Sequence, residues 1–148
     1  MKKLILNSIA GLATFAACSQ DIPATEVPSV VVNAFNSSFK NATDVEWEKK
    51  NNLYEVDFDI NRTDFTALID PKGTLVMQKQ DLNIRSLPAA VKSAVNAKYK
   101  GYRIDDADLL QKAGKRYYQL ELEGNAKMDQ KIVLTDTGAE TSDIKYWD

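Results

Sequence analysis

Histidine is absent from the 148 residues, and cysteine occurs once, at position 18. Because histidine titrates near neutral pH and is the commonest metal ligand, its absence excludes Ser-His-Asp triads, Cys-His pairs and histidine-based zinc or haem sites. A single cysteine excludes an internal disulfide and a multi-cysteine metal site. The net charge of −2 lacks the basic excess that a nucleic-acid partner needs. We therefore expect no cofactor, no bound metal, no catalytic residue and no nucleic-acid partner.

The composition that remains is that of a folded protein. Hydrophobic residues make up 44% of the chain and aromatic residues 9%, which favours a globule over a disordered chain. The length suits one domain, or two small halves that share a core.

The first residues resemble an export signal. Lys2 and Lys3 form a positive start, and an uncharged run from Leu4 to Ala17 follows. That run is too short to span a bilayer but fits the apolar part of a signal peptide, so residues 1–17 are predicted to be removed.

Cys18 follows small residues at the end of this run, as in a bacterial lipobox. The resemblance implies cleavage before Cys18 and acylation of its thiol; an ordinary secretory signal cut nearby is the alternative. Residues 18–26 are predicted to be a lipidated cysteine and tether, because Pro23 and small polar residues interrupt regular structure. The expected location is the periplasm or the outer membrane, with membrane contact only through the lipid.

The rest of the chain contains an internal repeat of about sixty residues. Three segments match in the same order, although few residues are identical. The matches are 27–31 with 87–91, 53–58 with 117–122, and 68–73 with 134–138. The predicted units are residues 27–82 and 83–148.

Each unit begins with a helical pattern and continues with strands. Pro28 and Pro88 suit the start of a helix, and the apolar residues after each of them recur at helical spacing. Alternation of apolar and polar residues then predicts four antiparallel strands per unit, the last one running to Trp147. We therefore expect an α+β fold in which two repeats join into a sheet of about eight strands, with both helices on one face and the other face open to solvent.

This arrangement resembles the PepSY-like family of beta-lactamase-inhibitor-like proteins, which are small exported proteins common in Bacteroidota. The residues that carry the resemblance are Leu87-Pro88-Ala89-Ala90-Val91 with Tyr99, Val27-Pro28 with Phe39, Asp44-Val45-Glu46-Trp47 with Tyr54-Glu55-Val56, and Asp70-Pro71-Lys72-Gly73. The likeness covers residues 22–148. It implies tandem copies of a helix and a four-stranded sheet, an extracytoplasmic location and no assigned enzymatic activity. No inhibitor loop can be carried over residue by residue.

Acidic residues form the candidate cation site. Asp57 and Asp59 resemble the start of a calcium loop, but Arg62 and Leu68 stand where glycine and glutamate are required. The cluster Asp105, Asp106 and Asp108 could also hold a hard cation; a solvated, charged sheet edge is the more common arrangement. Carboxylates in a row such as Glu55 or Glu121 could in principle act in a hydrolase. A solvent-facing row does not provide the raised pKa that such chemistry needs.

Three aromatic residues are the candidate partner-binding set. Tyr117 falls on the polar side of its strand, and Tyr146 and Trp147 point to opposite sides of the last predicted strand. Exposed Tyr and Trp are favoured anchors in protein interfaces, but they also serve to cover sheet edges. The first hypothesis is a non-enzymatic envelope module that binds a protein or peptide on its open sheet face. The alternatives are a cation or small-ligand binder and an envelope hydrolase. The sequence does not indicate the oligomeric state.

Overall fold

The computed structural model describes residues 19–125 and 128–148. The predicted signal peptide and Cys18 lie outside these residues. In chain order the elements are β1 (Ser19–Ile22), α1 (Ser29–Ser38), β2 (Thr43–Lys50), β3 (Leu53–Ile60), β4 (Thr63–Ile69), β5 (Leu75–Asp81), α2 (Ala89–Lys98), β6 (Tyr102–Lys112), β7 (Lys115–Gly124) and β8 (Gln130–Thr135). Short 3-10 turns at Ala24–Glu26 and Ile84–Ser86 precede the two helices.

The eight strands form one antiparallel sheet in chain order, β1 to β8. Helix α1 lies between β1 and β2 in the chain, and α2 lies between β5 and β6. The pairing register places Val56 beside Ala67 and Ala107 beside Leu120, and these buried residues face the helices of their own repeats. The predicted fold class, two repeats in one sheet of eight strands with both helices on one face, is confirmed.

The repeating unit begins one strand earlier than the sequence suggested. Strand β5 and its 3-10 turn stand before α2 as β1 and its turn stand before α1, so each unit reads strand, helix, three strands. The predicted boundary at 82/83 therefore falls inside the second unit. The prediction of an irregular tether over residues 18–26 is wrong for Ser19–Ile22, which pair with β2. The physical reason is that Ile22 packs on the first core and β1 pairs the free edge of β2.

Each helix covers its own hydrophobic core. The first core is rich in aromatic rings and includes Phe35, Phe39, Trp47 and Phe58. The second is mainly aliphatic and includes Val91, Leu120, Leu122 and Leu134.

The C-terminal segment departs from the prediction. Apart from a single bridge between Leu134 and Glu140, residues 136–148 form no strand. The last part of the segment instead lies on the sheet face opposite the helices, where Ile144 and Trp147 pack on Leu110, Tyr117 and Val133. The sheet face predicted to be open is thus partly covered, because outward-pointing apolar residues of β6, β7 and β8 need a cover.

One glycine near the end of each repeat lies close to the helix of that repeat. Gly73 and Gly138 have φ of +84° and +83°, in equivalent turns after β4 and β8. A Cβ atom at Gly138 would lie 2.6 Å from the Ala90 carbonyl oxygen, and one at Gly73 would lie 3.0 Å from that of Val30. Glycine is therefore required at both turns for backbone conformation and for close approach.

Candidate functional site

The sheet face opposite the helices carries an acidic groove. It occupies about 630 Å³ and extends from β2 and β3 to β5 and β6. Its aspartates are Asp44, Asp57, Asp59, Asp64, Asp81, Asp106 and Asp108; the other lining residues are Phe58, Phe65, Thr66 and Lys79. The antiparallel register brings these carboxylates together by placing Asp59 opposite Asp64 and Asp81 opposite Asp108.

The groove carboxylates repel one another. Partial desolvation and the neighbouring carboxylates of Asp64 and Asp44 raise the pKa of Asp59. Burial raises the pKa of Asp108, with further contributions from Asp106 and Asp81, although a hydrogen bond from Gln119 and the charge of Lys79 oppose the shift. The fold thus holds negative charges closer together than they would stand in the unfolded chain.

The predicted cation-binding residues separate into two places. Asp57, Asp59, Asp106 and Asp108 line the groove, but Asp105 does not. Asp105 lies at a bulge in the pairing of β6 with β7, and its carboxylate contacts Arg103 at 3.1 Å. Among residues 19–125 and 128–148, no three Asp, Glu, Cys or His side chains are grouped as a metal site requires.

Sequence reasoning missed the remaining groove carboxylates. Asp44, Asp64 and Asp81 are far apart in sequence and belong to three different elements. Asp64 could have been found, because the Asn61-Arg62 turn predicts a hairpin that sets it opposite Asp59.

The predicted partner-binding aromatics are brought together, but by the protein's own C-terminal segment. Tyr117 does lie on the face opposite the helices, yet it and Trp147 are each only 9% exposed. The expectation that they stand open to solvent is wrong, because the C-terminal segment and β7 cover each other. Tyr146 is half-buried, and its hydroxyl donates a hydrogen bond of 3.3 Å to Glu121. Burial, together with the charges of Glu121 and Asp108, raises the pKa of Tyr146.

Two buried polar side chains hold Trp147. Gln119, 1% exposed, donates from Nε2 to the Trp147 carbonyl oxygen at 2.9 Å and accepts the Trp147 backbone N–H at 3.0 Å. Glu55, 4% exposed, accepts the indole Nε1–H of Trp147 at 2.9 Å. Sequence alternation had placed both residues on a solvent-facing row. Their burial depends on a segment far along the chain, at residue 147.

Lysines complete the contacts of the C-terminal segment. Lys79 Nζ donates to the Trp147 carbonyl oxygen at 3.1 Å and lies 5.4 Å from the centre of the Trp147 ring system. Lys131 lies 4.7 Å from the Tyr146 ring centre and forms ion pairs with Glu121 and Asp148. Because Lys79 also lines the acidic groove, the groove and the C-terminal segment are neighbours on one face.

No helix within the described part of the chain is long and apolar enough to cross a membrane.

Comparison with known proteins gives a consistent picture. A family model described as "Putative beta-lactamase-inhibitor-like, PepSY-like" matches twice, at residues 15–77 and 70–139. The overlap of the two matches, residues 70–77, spans the turn before β5 and the start of that strand, which agrees with a repeat that begins at β1 and again at β5. Such a family is of a non-catalytic kind. None of the curated proteins matches the chain.

Three solved structures share the fold. A DUF2874 family protein from Bacteroides uniformis has 26% identity and a TM-score of 0.70, over 76% of this chain and 85% of that one. A protein from Bacteroides eggerthii, named among "putative periplasmic proteins", has 22% identity and a TM-score of 0.71, over 77% and 85% of the two chains. A BLIP-like protein from Bacteroides fragilis has 21% identity and a TM-score of 0.67, over 81% and 92%.

Proposed function

Because the chain belongs to the beta-lactamase-inhibitor-like, PepSY-like family, we propose that it is a non-enzymatic module of the cell envelope that binds a lysine- or arginine-rich segment of a partner protein. The observation that carries this proposal is the acidic groove on one face of the sheet, whose lining includes seven aspartates and a single lysine. Function resides in a site and not in a fold, so the family name alone does not identify the partner.

The groove suits a basic partner because its own charges are poorly compensated. The raised pKa of Asp59 and of Asp108 reflects in part carboxylates that repel one another, and a cationic ligand would relieve this repulsion. Opposite charge across an interface also speeds encounter and disfavours partners of the wrong sign.

An extended segment fits the groove better than a single ion. The carboxylates are spread over several strands, and those in the described ranges form no compact group of three. The second candidate function is therefore the binding of a small ligand with more than one positive charge, which would meet Asp57, Asp59, Asp106 and Asp108 in the same groove.

A hydrolase is disfavoured by the surroundings of the other candidate carboxylates. Glu55 is ion-paired with Lys50 and accepts the Trp147 indole, and Glu121 is paired with Lys131. Both carboxylates are therefore engaged in contacts within the protein and are not arranged as the acid and base pair that hydrolysis of a glycosidic bond uses.

Binding of a fluorescein-labelled oligolysine peptide tests the groove. The double variant Asp59→Asn/Asp64→Asn should bind about five-fold more weakly than the wild type, equivalent to about 1 kcal/mol. Added salt should weaken binding to the wild type, because exposed charges are screened. Asp105→Asn is the matched control, since it removes one carboxylate outside the groove and should leave affinity unchanged. Equal affinities of the wild type and the double variant would contradict the proposal.

We also propose that Cys18 is acylated and that the protein is a lipoprotein of the periplasm or outer membrane. The signal-like residues 1–17 and the naming of a structural relative as periplasmic support this location. Metabolic labelling with palmitate should mark the wild type and not Cys18→Ser. Equal labelling of both would exclude acylation at Cys18.

A further inference from the structure

The site that holds the C-terminal segment has the features of a peptide-binding site. Gln119 is almost fully buried, and both polar atoms of its side chain are directed at the backbone of Trp147. A pair of hydrogen bonds to one residue's N–H and C=O is the pattern by which a neighbouring β-strand recognises extended chain. The Gln119 amide thus makes the two hydrogen bonds that a neighbouring strand would make, and these bonds do not depend on the side chain of the bound residue.

Both repeats contribute to this site from equivalent positions. The match of residues 53–58 with 117–122 sets Glu55 opposite Gln119 in the repeat alignment. Gln119 binds the backbone of Trp147, and Glu55 binds its indole N–H. One residue therefore receives one buried polar group from each half of the molecule.

The side chains around the site define the chemistry of its ligand. Glu55 and Lys79 select a tryptophan through its N–H and its ring face. Lys131 binds a carboxylate at the following position, and it also contacts the aromatic ring at the preceding one. Lys131 and Glu55 lie on different strands, which sets the direction in which the segment must run.

We infer that this part of the sheet face is a receptor for an extended segment in which an aromatic residue, a tryptophan and a carboxylate follow one another, and that Tyr146-Trp147-Asp148 is its resident occupant. A partner that presents the same chemistry competes with the resident segment for the site. The inference does not depend on the basic partner of the acidic groove, although Lys79 and Asp108 border both places.

The competition can be measured on the full-length chain with a fluorescent synthetic peptide of residues 141–148. Trp147→Ala weakens the resident segment without removing it, so this variant should bind the peptide about ten-fold more tightly than the wild type does. Adding Gln119→Leu should abolish that gain, because leucine cannot bind the peptide backbone. Gln78→Leu is the matched control: Gln78 lies on the helix side of the sheet, so the gain should persist.

A thermal melt establishes that each variant is folded. If Trp147→Ala is not, Tyr146→Ala takes its place, because Tyr146 is only half-buried. A folded Trp147→Ala or Tyr146→Ala variant that binds the peptide no better than the wild type would overturn the inference. So would a gain that survives Gln119→Leu. Neither result would alter the oligolysine test, which uses Asp59 and Asp64.

Discussion

The two repeats share a backbone but differ in what fills them. At equivalent positions, the first repeat has Phe35, Phe39 and Phe58 where the second has Val95, Tyr99 and Leu122. Phe58 lies 4.9 Å from Phe35 and 4.6 Å from Phe39 between ring centres, whereas the second core is mainly aliphatic. The same chain path thus accommodates two kinds of core, because total volume and apolar pattern matter more than residue identity.

The repeats differ more strongly on the face away from the helices. In the second repeat this face carries Leu110, Tyr117 and Val133 and is covered by the C-terminal segment. In the first repeat and at the junction it carries the acidic groove. The comparison shows that the helix side preserves the fold, while the other side has diverged into two different surfaces.

The largest expected effect compares the two cores directly. Phe58→Ala should lower the free energy of unfolding by about 4 kcal/mol, and its counterpart Leu122→Ala by about 3 kcal/mol. The aromatic core should lose more, because Phe58 contacts three other rings. Urea unfolding measures both values. A larger loss for Leu122→Ala would show that the aliphatic core is the more tightly packed.

The next effect compares the two polar residues that hold Trp147. Gln119→Leu should cost about 2 kcal/mol, because it leaves the buried backbone N–H of Trp147 without its partner and removes one of the two donors to the Trp147 carbonyl oxygen. Glu55→Gln should cost about 1 kcal/mol, since the amide oxygen can still accept the indole N–H while the ion pair with Lys50 is lost. Chemical denaturation of both variants measures their free energies of unfolding and shows which substitution costs more. If Glu55→Gln were the more damaging, the ion pair with Lys50 would outweigh the contacts of Gln119 with the backbone.

The two helix-contacting glycines provide a smaller contrast. Gly138→Ala should cost about 1.5 kcal/mol and Gly73→Ala about 1 kcal/mol, because the added methyl group is closer to the helix backbone at Gly138. Gly114→Ala is the control, since its positive φ is similar but no atom lies within 4 Å of the added carbon. A lower melting midpoint for Gly114→Ala than for Gly138→Ala would show that strain in φ, and not contact with the helix, determines the loss of stability.

The smallest effect belongs to the groove and depends on pH. Because the folded protein raises the pKa of Asp59, folding favours its protonated form, and stability falls as pH rises from the unfolded-state pKa through the folded-state pKa. Asp59→Asn should therefore give a small rise in melting midpoint at pH 7 that shrinks with added salt. At pH 3 the carboxyl group is largely protonated in both states, and the rise should disappear. A rise of equal size at both pH values would show that repulsion is not its cause.

Periodicity was sufficient to predict both helices and most strands, since Val31 and Phe35, or Tyr54, Val56 and Phe58, repeat at the spacing that their element requires. It misassigned the final segment because Ile144 and Tyr146 also alternate as in a strand. A strand and an irregular segment that covers the sheet show the same alternation, and only the surface on which the segment packs distinguishes them.

The polar contacts of the site could not be predicted because they join residues far apart in the chain. Glu55 and Trp147 are separated by 92 positions, and no local pattern links them. One signal was present: Leu110, Tyr117 and Val133 are apolar residues on the outward parity of neighbouring strands. Such a patch indicates that some segment covers it, although not which one.

The pairing of β1 would have a mechanical consequence if the protein is attached at Cys18, as proposed above. Tension applied there would enter the folded domain at Ser19, the first residue of a four-residue edge strand with one neighbour. A pull directed away from the sheet would break the pairs in succession, beginning at Ser19 with Lys50 and ending at Ile22 with Trp47. Releasing β1 would lengthen the chain by about 14 Å while α1 and the other strands stay folded. The edge strand would thereby unpair and extend under tension before the rest of the domain has to unfold.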